Sequence, residues 1–140
     1  MKSDYRFHPG NGLGVAGHVD EMLRLAELDP NDYRFTMRIL RRRPYHYSGY
    51  ASKTWKRIHL SLGIELEAYM VHALILHEVA HLVQEDWDRY HRESWRLKVS
   101  ELLGARWGID WVPPLSWGRA AVDGHVAELI GGCDAFLQDQ

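Results

Sequence analysis

The chain has 140 residues, 46% hydrophobic and 26% charged, a balance typical of one globular domain with its own core. Its formal net charge of −2 gives no general reason to expect nucleic acid or an anionic membrane as the main partner. The single cysteine, Cys133, excludes an internal disulfide and a cysteine-based zinc ribbon, and we expect it to be at least partly buried in the last helix.

We expect no targeting signal in the N-terminal residues. They contain no apolar signal core, and the longest apolar stretch of the chain is interrupted by histidines and a glutamate, so neither secretion nor membrane spanning is expected. We predict one cytoplasmic domain over residues 1–140, with a flexible, glycine-rich arm over residues 1–17. This arm follows no hydrophobic strand and lacks a Gly-Lys-Ser/Thr ending, which argues against a phosphate loop.

The first half of the chain predicts one helix and then three strands. Apolar residues recur at helical spacing over residues 18–28, which indicates an amphipathic helix. Between Asp32 and Glu65, side chains alternate in character from Phe35 to Leu40, Pro44 interrupts, and two further runs follow over residues 45–51 and 55–62. We interpret them as three short antiparallel strands, the last two joined as a hairpin through residues 52–54.

This strand region is strongly basic. No acidic residue lies between Asp32 and Glu65, whereas eight basic residues do: Arg34, Arg38, Arg41, Arg42, Arg43, Lys53, Lys56 and Arg57. Such a run forms either a solvated face that guards a sheet edge or a patch that contacts phosphates. Because successive side chains of a strand point to opposite faces, only about half can share one surface. We expect at most weak, sequence-independent DNA contact, made by Arg38, Arg41, Arg42, Arg43, Lys53, Lys56 and Arg57.

The segment over residues 65–85 carries the motif His77-Glu78-Val79-Ala80-His81. Residues four apart share one face of a helix, so the imidazoles of His77 and His81 can converge on one metal ion. Glu78 lies about 100° around the helix from His77. There it can take a proton from water, as in the His-Glu-x-x-His zinc hydrolases. The surrounding helix is apolar on nearly every side, where such polar groups are costly without a metal, so we predict a Zn²⁺ site.

A third ligand is expected on the next helix, which we predict to be capped by Asp86 or Asp88 and to end at Gly104. His91 begins a stripe at helical spacing that faces the core, continued by Trp95, Val99 and Leu102. The opposite, charged side is formed by Arg92, Arg96 and Lys98. We favour His91 as the third ligand, with the nearby carboxylates as the remaining candidates: Glu85, Asp86, Asp88, Glu93 and Glu101. A metzincin site is not expected, because Gln84 and Trp87 occupy its glycine and histidine positions.

The C-terminal part predicts a loop and a last helix. Residues 105–118 are rich in tryptophan and contain two consecutive prolines, which is typical of a loop that wraps over a core. A helix is predicted over residues 119–137. On it, Asp123 and His125 can support metal ligands from outside, although the spacing does not demand this. Candidates for steadying an oxyanion are Tyr45, Tyr47, Tyr50 and His125.

The chain between residues 58 and 104 resembles the SprT-like zinc metalloproteases and related minimal gluzincin-type domains. The likeness rests on a hairpin ending in Ile58-His59-Leu60-Ser61, on the motif at residues 77–81, and on His91 followed by Trp95 and Leu102-Leu103-Gly104. The resemblance implies a small zincin-like domain in which His77, His81 and His91 bind zinc and Glu78 is the general base. The cysteine ribbon of many members is absent, so removal of DNA-bound proteins does not carry over.

We therefore predict an α+β fold: an N-terminal helix, a three-stranded antiparallel sheet, the motif helix beneath it, the third-ligand helix and an extra C-terminal helix. The predicted function is that of a zinc-dependent metallopeptidase acting on a protein or peptide, which adds as a strand to the hairpin edge. Two alternatives stay open: a DNA-associated protein that uses the basic region over residues 34–57, and a non-catalytic module stabilised by zinc.

Overall fold

The computed structural model describes residues 14–85 and 91–133. In chain order they form α1 (Gly14–Leu25), a short 3-10 turn (Pro30–Asp32), β1 (Arg34–Leu40), β2 (Tyr47–Ser52), β3 (Arg57–Gly63), α2 (Ala68–Val83), α3 (Glu93–Trp107) and α4 (Arg119–Gly131). Helices and a small sheet together confirm the predicted α+β class. In this part of the chain, no helix combines the length and the apolar character needed to cross a bilayer.

Helix α2 forms the centre of the core. Of its 16 residues, 12 are buried, as expected for a helix that is apolar on nearly every side. It packs against α1, α3, α4 and β2. On the sheet, Ile58, Leu60 and Leu62 of β3 are fully buried, whereas His59 and Ser61 between them point to the opposite face. The sheet therefore has an inner face turned to the core and an outer, polar face.

The sheet is mixed, so the prediction of three antiparallel strands was wrong. Strand β2 is antiparallel to β3, which confirms the hairpin, but β1 is parallel to β3 and lies on its other side. The alternating pattern identified the strands, but it carries no information on their order. Residues 41–46, predicted only to interrupt two neighbouring strands at Pro44, instead cross over the end of β3.

That crossover is held by close backbone packing at Gly63. The N–H of Gly63 donates to the carbonyl of His46 at 2.7 Å, and the N–H of Glu65 donates to the carbonyl of Pro44 at 2.8 Å. A Cβ atom at Gly63 would lie 2.2 Å from the carbonyl oxygen of Pro44. The space between strand and crossover therefore admits only glycine, and the closeness of the two segments keeps β3 between β1 and β2.

The predicted boundaries of α1 and α4 are partly correct. Helix α1 begins at Gly14, inside the predicted arm, and ends at Leu25; the rest of the arm lies outside the described residues. Helix α4 begins at Arg119 as predicted and is described to Gly131, whereas residues 134–137 of the prediction lie outside the described part. Cys133 follows α4 and is half-buried.

Helix α3 differs from the prediction at both ends. It begins at Glu93, so His91 lies before the helix and not on it. The proposed caps Asp86 and Asp88 lie outside the described residues. The helix continues through Gly104 and ends at Gly108, whose left-handed backbone (φ 68°) lets its N–H bond back to the last turn. Glycine at both 104 and 108 made the end of the helix ambiguous from the sequence. Of the two, only Gly108 has the left-handed conformation.

Candidate metal centre

Three histidines converge at one end of α2. The Nε2 atoms of His77, His81 and His91 lie 3.0–3.2 Å from one another. His77 and His81 stand one turn apart on α2, and His91 reaches them from the segment before α3. The structure thus brings together the three residues predicted as ligands. Within the described residues, this cluster could hold a metal ion.

The opposite ring nitrogens of two histidines show which atoms carry protons. Nδ1 of His77 donates to Oδ1 of Asp123 at 2.8 Å, and Nδ1 of His81 donates to Oε1 of Gln84. In a neutral imidazole, a proton on Nδ1 leaves Nε2 as a lone pair. Two lone pairs therefore face each other at 3.2 Å with no proton between them. Two facing lone pairs repel each other when nothing lies between them, whereas a bound cation would accept both.

Trp95 packs against all three rings from inside the core. It is fully buried, and its ring centroid lies 4.9 Å from that of His77 and 4.7 Å from that of His91. The ring stacks on His81 at 5.8 Å. Its Nε1 donates to the carbonyl of His77 at 3.2 Å. The predicted inward stripe of α3 is confirmed at this residue, which restricts how far the histidine rings can move.

Arg96 holds the segment that carries His91. Its Nε donates to the carbonyl of His91 at 2.9 Å, and its two terminal nitrogens donate to the carbonyls of Pro114 and Trp117 at 2.6 Å each. Arg96 is 6% exposed, so its predicted place on the charged, solvent-facing side was wrong. Helical spacing correctly predicted that Trp95, Val99 and Leu102 are buried. It could not predict that Arg96 meets three carbonyl groups from segments outside α3. One buried guanidinium therefore links the His91 segment to the loop before α4.

Glu78 lies between α2 and β2. It is 4% exposed, and a Cβ atom at Gly49 of β2 would lie 2.7 Å from its Oε2. Burial raises the pKa of Glu78 to about 7; nearby His77 opposes the shift, Asp123 adds to it and Arg119 opposes it. The missing side chain at Gly49 therefore makes room for the carboxylate against the strand.

The surroundings of His91 disfavour its protonated form. Its pKa is lowered to about 3, mainly by burial, and the neighbouring His77 and His81, followed by Arg119 and Arg96, contribute to this shift. A ring that resists protonation keeps both nitrogens available for donation or coordination. The imidazole of His91 is thus suited to bind a cation in its neutral form.

A cavity of about 620 Å³ opens over this cluster. Its wall includes the three histidines and Glu78, together with the β2 edge and two cations, Lys53 and Arg119. Sequence reasoning assigned Lys53 to the basic region and gave Arg119 no role. The ammonium of Lys53 donates to the carbonyl of Gln84, which ties the hairpin turn to the end of α2. The histidine cluster is therefore accessible to a ligand of appreciable size.

Comparison of the chain with known protein families, with curated proteins and with solved structures finds no match in any of the three. What the site can do is therefore argued from its own geometry.

The tyrosines proposed for an oxyanion separate into three positions. Tyr47 pairs with Leu62 on the core side of the sheet and lines the cavity. Burial raises its pKa, Asp123 raises it further and Arg119 opposes the shift, so the phenol keeps its proton. Tyr50 also borders the cavity but pairs with His59 on the outer face, and Tyr45 is 73% exposed. Of the three, Tyr47 is best placed as a donor.

The remaining predicted candidates fall outside the cluster. His125 packs against Trp111 and Trp117, with ring centroids at 4.6 and 5.4 Å, and does not line the cavity. Glu93 and Glu101 are exposed, and Asp86 and Asp88 lie outside the described residues. Glu85 lines the cavity without joining the three histidines.

His72 lies on the far side of α2 from the three clustered histidines. Its ring contacts those of His18 and Trp107, with centroids at 4.5 and 5.6 Å, between α1 and α3.

The sequence offers little or no indication of the two residues that hydrogen-bond the rings of His77 and His81. Asp123 was named as a residue that could support a metal ligand, but no spacing pointed to it. Only the packing of α4 on α2 brings it to His77. Gln84 was considered only as the residue that excludes a metzincin. Its position three residues after His81, at the end of α2, was the available signal, since side chains at this spacing are neighbours on a helix.

Proposed function

We propose that the chain is a zinc-dependent metallopeptidase, a hydrolase of peptide bonds. The observation that carries the proposal is the convergence of three imidazole Nε2 atoms, with a buried glutamate lining the same cavity. A tetrahedral zinc with Zn–N bonds of about 2.0–2.1 Å separates its nitrogen ligands by about 3.3 Å. The observed separations of 3.0–3.2 Å are close to that value.

The number of ligands supports catalysis over a structural clamp. Structural zinc sites have four protein ligands, whereas catalytic sites have three and leave one position for water or substrate. Three histidines form the cluster in the described part of the chain, and the cavity lies over them. A buried carboxylate such as Glu78 is costly in a site that only holds a fold together.

The proposed chemistry assigns proton transfer to Glu78. When bound, zinc polarises the scissile carbonyl and makes a water more acidic. Glu78 takes the proton of the attacking water and delivers it to the leaving amine. The phenol of Tyr47, protonated and on the cavity wall, donates a hydrogen bond to the oxygen on which negative charge develops. Asp123 and Gln84 keep His77 and His81 in the tautomer that presents Nε2.

The edge of β2 is the proposed place for the substrate backbone. In the described sheet β2 pairs only with β3, so its other edge offers backbone N–H and carbonyl groups beside the cavity. An extended peptide can add to such an edge through main-chain hydrogen bonds. Gly49 lies in this strand against Glu78, so a peptide bound there passes the proposed base. We therefore propose a protein or peptide in extended conformation as the substrate.

The test compares Glu78→Gln with the unchanged protein, both loaded with zinc. Glutamine keeps the shape of the side chain but cannot accept the proton, so hydrolysis of casein should fall by at least about a hundredfold while zinc content stays equal. Glu85→Gln is the matched control, because Glu85 lines the same cavity and is assigned no role in the reaction. It should retain activity.

Equal activity in Glu78→Gln and the unchanged protein would contradict the peptidase proposal. Zinc binding that stabilises the fold, combined with no hydrolysis of any unfolded protein by the unchanged chain, would favour the non-catalytic, zinc-stabilised module instead.

A further inference from the structure

A second cavity, of about 710 Å³, opens on the outer side of the sheet at the crossover. We name it the arginine cavity, because its wall includes Arg38, Arg41, Arg42 and Arg43. Arg38 lies on β1 opposite Ser61 of β3, and Ser61 lies opposite Ser48 of β2. These three residues form one row across the outer face, and the three consecutive arginines of the crossover follow it. The cavity does not include the histidines of the metal centre.

A hydrogen-bonded chain orients Ser48 at this cavity. Arg43 donates from its terminal nitrogen to Nδ1 of His46 at 2.9 Å, and Nε2 of His46 lies 2.9 Å from Oγ of Ser48. Because a guanidinium can only donate, Nδ1 of His46 is the acceptor and the proton is on Nε2. Nε2 therefore donates to Ser48, and the hydroxyl hydrogen of Ser48 stays available for a ligand in the cavity.

A second chain ends at Ser61. Nδ1 of His59 lies 2.8 Å from Oγ1 of Thr36, and its Nε2 lies 3.1 Å from Oγ of Ser61. With the proton on Nε2, His59 donates to Ser61 and accepts from Thr36, which again leaves a serine hydroxyl free to donate. An acceptor in the cavity favours that tautomer. Two neighbouring hydroxyls and the arginines thus present donors to the same space.

Within residues 14–85 and 91–133, no carboxylate balances the positive charge of this space. None lines the cavity, and none forms an ion pair with Arg38, Arg41, Arg42 or Arg43. Guanidinium groups bind phosphate oxygens through paired N–H donors, and hydroxyls complete such sites. We propose that the arginine cavity binds a ligand that carries two or more phosphate groups.

The structure also divides the eight basic residues between Asp32 and Glu65 into separate groups. Lys53 lines the cavity over the three histidines, and the ammonium of Lys56 lies 5.2 Å from the ring centroid of Tyr33. Arg34 of β1 lies opposite Arg57 of β3 on the outer face. They are four residues along the strands from Arg38 and Ser61. That spacing corresponds to about 13 Å. A compact oligophosphate needs only the arginine cavity, whereas a nucleic-acid strand would also reach Arg34 and Arg57.

The experiment measures binding at about 150 mM salt, where nonspecific attraction is screened. Inorganic tripolyphosphate is titrated by calorimetry, and a labelled 15-nucleotide single strand by fluorescence anisotropy. The test variant is Arg41→Gln/Arg42→Gln, and the matched control is Arg34→Gln/Arg57→Gln, with the same change in net charge on the same face of the sheet. Ser48→Ala/Ser61→Ala removes the two hydroxyls without changing charge.

We expect saturable binding of tripolyphosphate that weakens at least about tenfold in Arg41→Gln/Arg42→Gln, weakens less in Ser48→Ala/Ser61→Ala, and is unchanged in the control. If the 15-mer also binds, and binds less tightly to Arg34→Gln/Arg57→Gln, the phosphates recognised are those of a nucleic-acid strand. If only tripolyphosphate binds, the phosphates recognised are those of a free molecule. Absence of saturable binding for both probes, or equal loss of tripolyphosphate binding in both arginine variants, would overturn the proposal.

Discussion

Asp123 on α4 accepts a 2.8 Å hydrogen bond from Nδ1 of His77 on α2, although the two residues are 46 positions apart in the chain. The bond determines which nitrogen of His77 faces the other two histidines. It also places a buried carboxylate behind the ring, an arrangement that strengthens an imidazole as a metal ligand. The C-terminal helix is therefore part of the candidate metal centre and does more than cover the core.

We predict that Asp123→Ala weakens zinc binding by about 10–100-fold, because His77 loses the partner that orients it and holds its tautomer. Asp123→Asn should weaken binding less, since the amide oxygen can still accept from Nδ1. Competition with a chromophoric chelator measures the affinity. Glu128→Gln is the control, as it removes an exposed carboxylate from the same helix. Equal affinities for Asp123→Ala and the control would show that the contact does not support a metal ligand.

The second prediction separates ligand from non-ligand histidines. His91→Ala should lose bound zinc on dialysis, whereas His72→Ala should keep one zinc per folded chain, because its ring lies between α1 and α3. Elemental analysis of dialysed protein measures both. Retention of full zinc occupancy by His91→Ala would require another third ligand, and Glu85, which lines the same cavity, would be the first to examine.

How far the sequence predicts this site depends on the range of the interactions. His77, Glu78 and His81 lie within one turn of a helix, so their relative placement follows from helical geometry alone. His91 was chosen by extending a helical stripe, yet it lies before α3. It still reaches the cluster because Trp95 and Arg96, at the start of α3, hold its segment.

Long-range contacts were not accessible in the same way. The parallel pairing of β1 with β3 depends on a crossover whose packing at Gly63 is visible only in three dimensions. The buried position of Arg96 likewise depends on carbonyl groups about 18–21 residues away. Periodicity describes one element at a time, so it predicts faces of helices and strands, but it does not predict the partners that those faces meet.

The third prediction concerns the strand against the proposed base. In Gly49→Ala the new methyl carbon would lie 2.7 Å from Oε2 of Glu78, so either the carboxylate or the strand must move. We expect casein hydrolysis to fall by at least about tenfold with zinc content unchanged, because small displacements of a catalytic group are costly. Gly124→Ala is the matched control, since its Cβ meets no atom within 4 Å. A Gly49→Ala protein as active as the control would show that the position of Glu78 against β2 is unimportant.

The last prediction concerns the buried guanidinium that links the His91 segment to the loop before α4. Arg96→Met keeps much of the side-chain volume but removes the donors to the carbonyls of His91, Pro114 and Trp117. Hydrogen bonds to charged groups contribute about 1.5–3 kcal/mol each, so the free energy of unfolding of the metal-free protein should fall by at least about 3 kcal/mol. Denaturant unfolding monitored by circular dichroism measures it.

Two further variants distinguish the geometry of Arg96 from its charge. Arg96→Lys keeps the charge but has no planar fork to bridge separate carbonyls, so it should recover only a minor part of the lost stability. Arg92→Met, an exposed neighbour, should change stability by less than about 0.5 kcal/mol. Because Arg96 bonds the backbone of His91 directly, Arg96→Met should also weaken zinc binding, whereas Arg92→Met should not. Loss of stability in Arg96→Met with zinc affinity unchanged would show that the guanidinium supports the fold without positioning the third histidine.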